Sequence, residues 1–537
     1  MNTKPDAESP SVSLLIQPGA PASALEESEE RKGLLEEVLE GTSRQRAGEV
    51  GKPIDRFLGE TSPWKSVCQW LGLAGADSAV PDRSEITRLL SRDIAHIDAL
   101  VSAQVNALLH HPAFQKLEAS WRGLRYLVEK LPDNPSVKIR VLNVSWGELV
   151  QDQSRALEFD QSQLFRKVYE SEFGQPGGEP FGVLIGDYHV RHRPSAEHPF
   201  DDLETISKIS GVAAAAFSPF LVGVHPSLFG LDNFSELERP IDLARVFEQV
   251  DYIKWRALRQ TPDARFLGLT LPRVLMRLPH EGRSARGERF QFREDVEGPD
   301  REKYLWGNAV YGFAAVLIRC FSASSWVADI RGVRQGVDEQ GEKALLDEGG
   351  LVSGLPSHSF STDAQGLISK CSTDVIITDS QEKGLDDLGF IPLCHCQDTE
   401  FSAFYGNQSV QKPAKYDDPK ATANARLSGM LQYMFCVSRF AHYIKVMCRD
   451  MIGSSVGAEE CEDRLQKWLQ GYTTASDSAG PEVKARYPLR EGRVQVREQP
   501  SMPGTYSCEI HLRPHYQLDQ MFTSMRFRTE LAPSRPD

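Results

Sequence analysis

Apolar residues recur at helical spacing over residues 84–110, where Ile86, Leu89, Leu90, Ile94, Ile97, Leu100, Val101, Val105 and Leu108 predict one long helix. A second helix is predicted from Pro112, with Phe114, Leu117, Trp121, Leu124 and Val128 at offsets 0, 3, 7, 10 and 14, the spacing of a packing seam. Residues 137–144 alternate as a strand. The runs 181–185 and 220–224, with a helical pattern over 203–217 between them, read as a β-α-β unit. Further strands are expected at 265–271 and 374–378, an apolar helix at 304–321, and a surface excursion at the acidic, glycine-rich stretch 335–350. Residues 421–452 read as a single helix with Leu427, Leu431, Met434, Ala441, Ile444, Cys448 and Met451 on one side. Arg439, His442, Lys445 and Arg449 exclude it as a membrane span and are expected to form a basic face. These elements place the chain in the mixed α/β class.

The C-terminal segment has a different period. Val494 and Val496 alternate with polar neighbours, as do Tyr506, Cys508, Ile510 and Leu512, and Met502-Pro503-Gly504 supplies turn chemistry between the two runs. A third alternating run contains Met525 and Phe527. Three strands leave two open edges, so this region either caps the chain's own core or exchanges strands between subunits. Near the other end, Leu34, Leu35, Val38 and Leu39 form the apolar edge of a short helix within 33–41, preceded by a Ser-, Pro- and Glu-rich tail. A helix this short needs a surface to pack on. The surface is the chain's own or a groove on another protein.

With 537 residues, 40% of them hydrophobic, the chain can bury a large core of two or three domains. The pattern divides it into a disordered tail (1–31), a linker carrying the short helix (32–83), an α/β domain (84–380) and a C-terminal domain with the long helix and the alternating strands (381–537). A net charge of −14 argues against nucleic acid as a partner, although 484–531 carries more Lys and Arg than Asp and Glu. Nine cysteines without a regular framework suit reduced thiols of the cytoplasm. Neither a secretory signal nor an uncharged apolar stretch of membrane-spanning length occurs.

The familiar catalytic signatures are missing. Gly51-Lys52-Pro53 fails as a phosphate loop, the glycines of 174–178 suit a turn better than a dinucleotide fingerprint, and neither a His-Glu-x-x-His pair nor a Gly-x-Ser-x-Gly elbow is present. Cys394-His395-Cys396 has no second ligand pair at zinc-site spacing, and His189-Val190-Arg191-His192 reads as solvated histidines. No cofactor or metal is expected. The rival reading is an α/β enzyme built around 178–189, using Glu179, Asp187 and His189, which would show a convergent polar pocket.

At His110-His111-Pro112-x-Phe114-Gln115-x-Leu117-Glu118-x-x-Trp121-Arg122-Gly123-Leu124 the sequence resembles the large subunit of the type VI secretion contractile sheath, the TssC/VipB/ImpC family. The likeness continues through Lys138-Ile139-Arg140-Val141-Leu142-Asn143, Gly178-Glu179-Pro180-Phe181-Gly182, Gly186-Asp187-Tyr188 and Arg331-Gly332-Val333. It is densest at Gln411-Lys412-Pro413-Ala414-x-Tyr416-Asp417-Asp418, Arg439-Phe440-Ala441-His442-Tyr443 and Leu512-Arg513-Pro514-His515-Tyr516-Gln517-Leu518, and it spans roughly residues 84 to 531. Two stretches depart from the family pattern: the 335–350 segment is longer than the usual loop, and the first 83 residues match poorly outside 33–41.

The resemblance implies a non-enzymatic mechanical subunit of the bacterial cytoplasm. It implies an obligate heterodimer with a small sheath subunit (TssB/VipA), and stacking of heterodimers as a helical tube around an inner tube of Hcp. It further implies contact with a baseplate and recycling by a ClpV-type AAA+ ATPase. On that reading Leu34, Leu35, Val38 and Leu39 meet the ATPase, and Phe114, Leu117, Trp121, Leu124 and Val128 pack on the small subunit. Val494, Val496, Tyr506, Cys508, Ile510, Leu512, Met525 and Phe527 complete an intersubunit sheet. Arg439, Lys445 and Arg449 face the inner tube.

Overall fold

The computed structural model describes residues 12–16 (main chain), 59–71, 82–132, 136–282, 290–337, 343–360, 370–397, 399–453, 457–476, 479–498 and 506–515. Numbering helices of eight residues or more, the chain runs through β1 (Val12–Ile16), α1 (Pro63–Trp70), α2 (Arg83–Leu109), α3 (Pro112–Glu129), β2 (Val137–Val141), α4 (Trp146–Arg155) and β3 (Phe181–Val190). It continues with α5 (Asp202–Ala215), β4 (Phe220–Val224), α6 (Ile253–Gln260), β5 (Leu267–Leu271), β6 (Val274–Leu275), β7 (Trp306–Gly307) and α7 (Val310–Ser324). After β8 (Arg334–Val337), β9 (Lys343–Leu346) and β10 (Leu351–Val352) come α8 (Asp379–Asp387), β11 (Ile391–His395) and β12 (Ser402–Phe404). The C-terminal part holds α9 (Pro419–Ser428), α10 (Leu431–Met451), α11 (Ala458–Gln470), β13 (Leu489–Glu498) and β14 (Tyr506–Pro514).

A single eight-stranded sheet in the order β10-β12-β11-β5-β4-β3-β1-β2 organises residues up to 404. Its pairings from β2 to β11 are parallel, and β12 and β10 add antiparallel strands at one edge. Helices cover both faces, which is why β3, β4 and β5 are near-continuous apolar runs rather than alternating ones. On one face α5 inserts Ile206, Ile209 and Val212, and Trp255 of α6 stacks on Phe390 at the start of β11 with ring centroids 5.2 Å apart. On the other face the almost wholly apolar α7 lies against the sheet, and α3 packs over it. Gly123 of α3 permits that approach: a Cβ there would sit 2.4 Å from the Tyr311 ring. A separate core under the C-terminal strands gathers Trp326, Phe440, Ile444, Leu465, Leu469, Leu489, Val494 and Val496.

The helices at 84–110 and 112–129 and the β-α-β unit stand where the sequence pattern put them, within a residue or two at most ends; β3 runs on to Val190. Several expectations need correction. Within the tail taken as disordered, Val12–Ile16 form β1, seated between β2 and β3. The boundary at 380 would cut the main sheet, because β11 and β12 belong to it.

Residues 374–378 are not a strand. Val375 and Ile377 are buried without a ladder, since Arg273 holds Asp374 at 2.8 Å and Arg301 donates to the Asp374 carbonyl at 2.6 Å. The helix of 304–321 begins only at Val310, because Trp306–Gly307 pair with β6. The excursion at 335–350 starts as the hairpin β8–β9.

The helix of 421–452 is two helices. Main-chain bonds from Ser409 to the Gly429 carbonyl (2.9 Å) and from Leu431 to the Asn407 carbonyl (3.0 Å) pull the chain out of helical geometry at Met430.

One carboxyl is placed against its own charge. Glu382 of α8 is half-buried, and burial, followed by the neighbouring Asp386 carboxylate, pushes its pKa up to about 7. The unfolded chain therefore ionises this group first as pH rises, and its contribution disfavours folding increasingly from about pH 4.5 to pH 7. Glu382→Gln should raise the melting temperature relative to wild type at pH 8 and leave it nearly unchanged at pH 4.5. An equal shift at both pH values would show that the carboxyl's ionisation is not involved.

Candidate assembly surfaces and a polar cleft

α2 extends for 27 residues, about 40 Å, and not one of its residues is buried. It is tied to the rest of the chain near its middle and at its C-terminal end. Asp93 accepts from Trp70 of α1 at 3.1 Å, and at the far end Asn106 Oδ1 accepts from the Asp295 amide at 3.0 Å. Nearby, His110 meets Glu294 at 3.3 Å, and Glu294 pairs with Arg277 at 2.5 Å. Between these anchors Ile94, Ile97, Leu100 and Val101 are exposed.

α3 splits the seam expected of it. Leu124 packs on the core and Phe114 is half-buried, whereas Leu117, Trp121 (57% exposed) and Val128 (52%) look outward. Trp121 is thus no core residue. Water-facing aliphatic and indole side chains on two adjoining helices form an apolar face that nothing in this chain covers among the described residues.

At the C-terminus β13 and β14 form an antiparallel ribbon with Val494 opposite Ile510 and Val496 opposite Cys508. The Val494 and Val496 side chains are buried against α10 and α11, Ile510 and Leu512 are half-buried beside them, and Tyr506 and Cys508 are exposed. Gly492 lies so close to α11 that a Cβ would fall 2.6 Å from Leu469.

The two edges of this ribbon differ. The Val494 and Val496 amides donate to Gln466 Oε1 and Glu462 Oε2 of α11, both at 2.8 Å, and Gln466 Nε2 donates to the Gly492 carbonyl at 3.0 Å. Side chains of α11 therefore seal the outer edge of β13. In an antiparallel ladder, residues directly opposite share their hydrogen-bonding state. Since Val494 and Val496 turn their amides away from β14, Ile510 and Cys508 turn theirs away from β13, toward the outer edge of β14. Met525 and Phe527, like Leu34, Leu35, Val38 and Leu39, lie outside the described residues.

The basic face expected on α10 does not exist as a face. Arg439 is buried with its guanidinium over the Phe321 and Tyr443 rings, 5.6 and 5.0 Å from their centroids. His442 Nε2 bonds the Ala216 carbonyl at 2.9 Å, and burial, then the Arg439 charge, holds its pKa down at about 3. Lys445 lies over Phe173, 3.6 Å from the ring centroid, and Arg449 donates to the Gln175 carbonyl at 2.6 Å. Long basic side chains here bind α10 to the π-helical stretch Arg166–Gly174 and its surroundings rather than to solvent.

A polar cleft of about 320 Å³ opens outside the carboxyl ends of β3, β4 and β5. It contains Asp187 and His189 of the rival enzyme reading but not Glu179, which is paired with Lys138 and Arg140 of β2. The histidines of 189–192 are not simply solvated: His189 presents a buried Nε2 without a partner, and His192 stacks on Tyr252 at 4.1 Å. Asp187 accepts from Ser120 at 2.5 Å, and Arg273 is clamped between Glu302 and Asp374 at 2.6 and 2.8 Å. Burial first, then the charges of Arg273, His225, Lys116 and Arg191, depress the His189 pKa to about 3. Lys116, Arg191 and Arg273 line the cleft together with the Asp187 and Glu302 carboxylates, and Glu302 is paired with Arg273. No sequence motif announces the cleft, because its members come from seven separated stretches of the chain.

Comparison with known proteins follows the same division of the chain. The family model described as VipB, EvpB/VC_A0108, tail sheath N-terminal domain matches residues 91–411, and that described as EvpB/VC_A0108, tail sheath gpW/gp25-like domain matches residues 420–531. The two meet just before α9. The chain is 41% identical over 462 residues to the type VI secretion system sheath protein TssC1 of Pseudomonas aeruginosa PAO1, covering 84% of this chain and 89% of that protein. Among solved structures, a chain of the anti-feeding prophage baseplate superposes with a TM-score of 0.38 at 10% identity, over 76% of this chain and 80% of that one. A chain of the contracted anti-feeding prophage helical sheath gives 0.34 at 11%, over 77% and 82%. Superpositions this loose carry no functional weight.

Proposed function

The chain belongs to the VipB (EvpB/VC_A0108) tail sheath family, and from that premise we propose that it is the large structural subunit of a contractile type VI secretion sheath. It acts in the bacterial cytoplasm, pairs with a small sheath subunit, and polymerises around an inner tube whose expulsion it drives. The observation that supports this best is α2, a 27-residue helix without one buried residue, beside the outward apolar stripe of α3. Amphipathic helices draw most of their stability from packing that face. A rigid partner laid along α2 and α3 supplies it. Co-expression with the product of the adjacent gene, followed by negative-stain electron microscopy, should give tubes. A monodisperse monomer at high concentration without a partner, or a closed finite oligomer with it, would overturn the reading.

Trp121 then acts as an interface anchor rather than a core residue. Trp121→Ala should leave the melting temperature of the chain almost unchanged, because the ring is more than half exposed. It should weaken capture of the small subunit by about 2 kcal/mol or more, as truncated aromatic anchors do. Undiminished co-purification of the small subunit would remove Trp121 from the interface.

Polymerisation is assigned to the outer edge of β14, where a strand from a neighbouring subunit can add. A strand of about six residues contributes roughly three main-chain hydrogen bonds of about 0.5–1.5 kcal/mol each. One such link is weak. Repeated through a lattice, the links act together while each allows its subunits to rotate. Because the Ile510 amide points to this edge, Ile510→Pro removes a donor from the incoming strand and spares the ladder to β13. Tubes should be lost on electron microscopy while the heterodimer elutes unchanged from size exclusion. Normal tubes, or a heterodimer that no longer folds, would each count against strand addition at this edge.

Leu34, Leu35, Val38 and Leu39 are proposed to dock in a groove of the recycling AAA+ ATPase. Replacing Leu35 and Val38 by Asp should abolish ATPase capture in a pull-down and leave sheath assembly intact. Equal capture, or loss of assembly, would assign the segment a structural role instead.

A further inference from the structure

The cleft outside β3, β4 and β5 holds donors that the fold does not use. Arg273 is committed to Glu302 and Asp374, Asn308 Nδ2 to the Tyr188 carbonyl at 2.9 Å, and His225 Nδ1 to Ser227 at 2.8 Å. By contrast, the Arg191 guanidinium and the Lys116 ammonium make no hydrogen bond or ion pair with any described residue, and His189 Nε2 is buried without a partner. All three belong to the same cleft. They arrive from the end of β3 and from α3, two elements fixed by the main core.

Location and size point the same way. Parallel α/β sheets hold ligands in the crevice outside the carboxyl ends of their strands, and about 320 Å³ is at the lower end of the range for small-molecule pockets. Two cations without an ion-pair partner among the described residues, Arg191 and Lys116, line one cleft, and a bound anion can pair with both. Asp187, whose carboxylate accepts from the Ser120 hydroxyl, lies on the opposite wall from an anion held by Arg191 and Lys116 and opposes it. A neutral imidazole can carry its proton on Nε2 and donate.

We propose that this cleft binds a small phosphate-bearing molecule, with Arg191, Lys116 and His189 Nε2 donating to the phosphate oxygens. A tetrahedral phosphate accepts from several directions at once, and Arg offers it a planar pair of donors. The site is independent of the strand-addition edge and of the exposed stripe of α3, although Lys116 stands next to Leu117 of that stripe.

Titration of the full-length protein with inorganic phosphate, in a phosphate-free buffer and read by calorimetry, tests this. Wild type should show saturable uptake of one phosphate per chain. Arg191→Ala and Lys116→Ala should each weaken it at least tenfold, and Arg88→Ala on exposed α2 should not. Lys116 is exposed, so its replacement cannot be excused as misfolding; unchanged melting temperatures verify the others. Absence of saturable uptake, or equal weakening by Arg88→Ala, would overturn the site. So would zero-length carbodiimide cross-linking of Lys116 to a carboxylate of the co-expressed partner, which would show that a protein side chain fills the cleft. These outcomes leave tube formation, read on other variants, unaffected.

Discussion

Burial of one parallel sheet on both faces is the constraint on which the rest of the molecule depends. Strands β3, β4 and β5 have no solvent side, so α5 and α6 must cover one face and α7 with α3 the other. That requirement fixes α3 with its inner face on Tyr311, and thereby fixes which of its residues are left outside. It also sets the strand ends from which Asp187, His189, His225 and Arg273 converge. The outward apolar face of α3 and the polar cleft are therefore two consequences of the same packing.

The C-terminal ribbon is attached by a different logic. Two strands alone are marginal, and here α10 and α11 supply the missing core while Glu462 and Gln466 close one edge with side-chain hydrogen bonds. Among the described residues, no main-chain ladder forms on the outer edge of β14. The sealed edge ties the ribbon to α11 of its own chain.

Basic side chains serve the fold along α10. Arg439, His442, Lys445 and Arg449 each find an aromatic face or a carbonyl contributed by a distant part of the chain. Arg273 draws Asp374 into the core and so keeps residues 374–378 out of the sheet. Removing one partner from such a pair would leave the other charge buried alone, a far larger cost than the pair is worth.

The sequence by itself determined the local periodicities: the long helices α2 and α3, the β-α-β unit, the alternation of Val494 and Val496 with Ile510 and Leu512, and the family that these residues spell out. Periodicity states which residues share a face, because it follows from backbone geometry. Whether that face is covered depends on what else the chain brings to it. Only the tertiary structure could decide that no described residue covers α2, that the basic residues of α10 turn to aromatic rings and carbonyls of the chain itself, that Met430 interrupts a helix, that Val12–Ile16 enter the sheet, and that Lys116, His189 and Arg191 line one cleft. Each of these is set by contacts between segments far apart in sequence, and no local pattern encodes them.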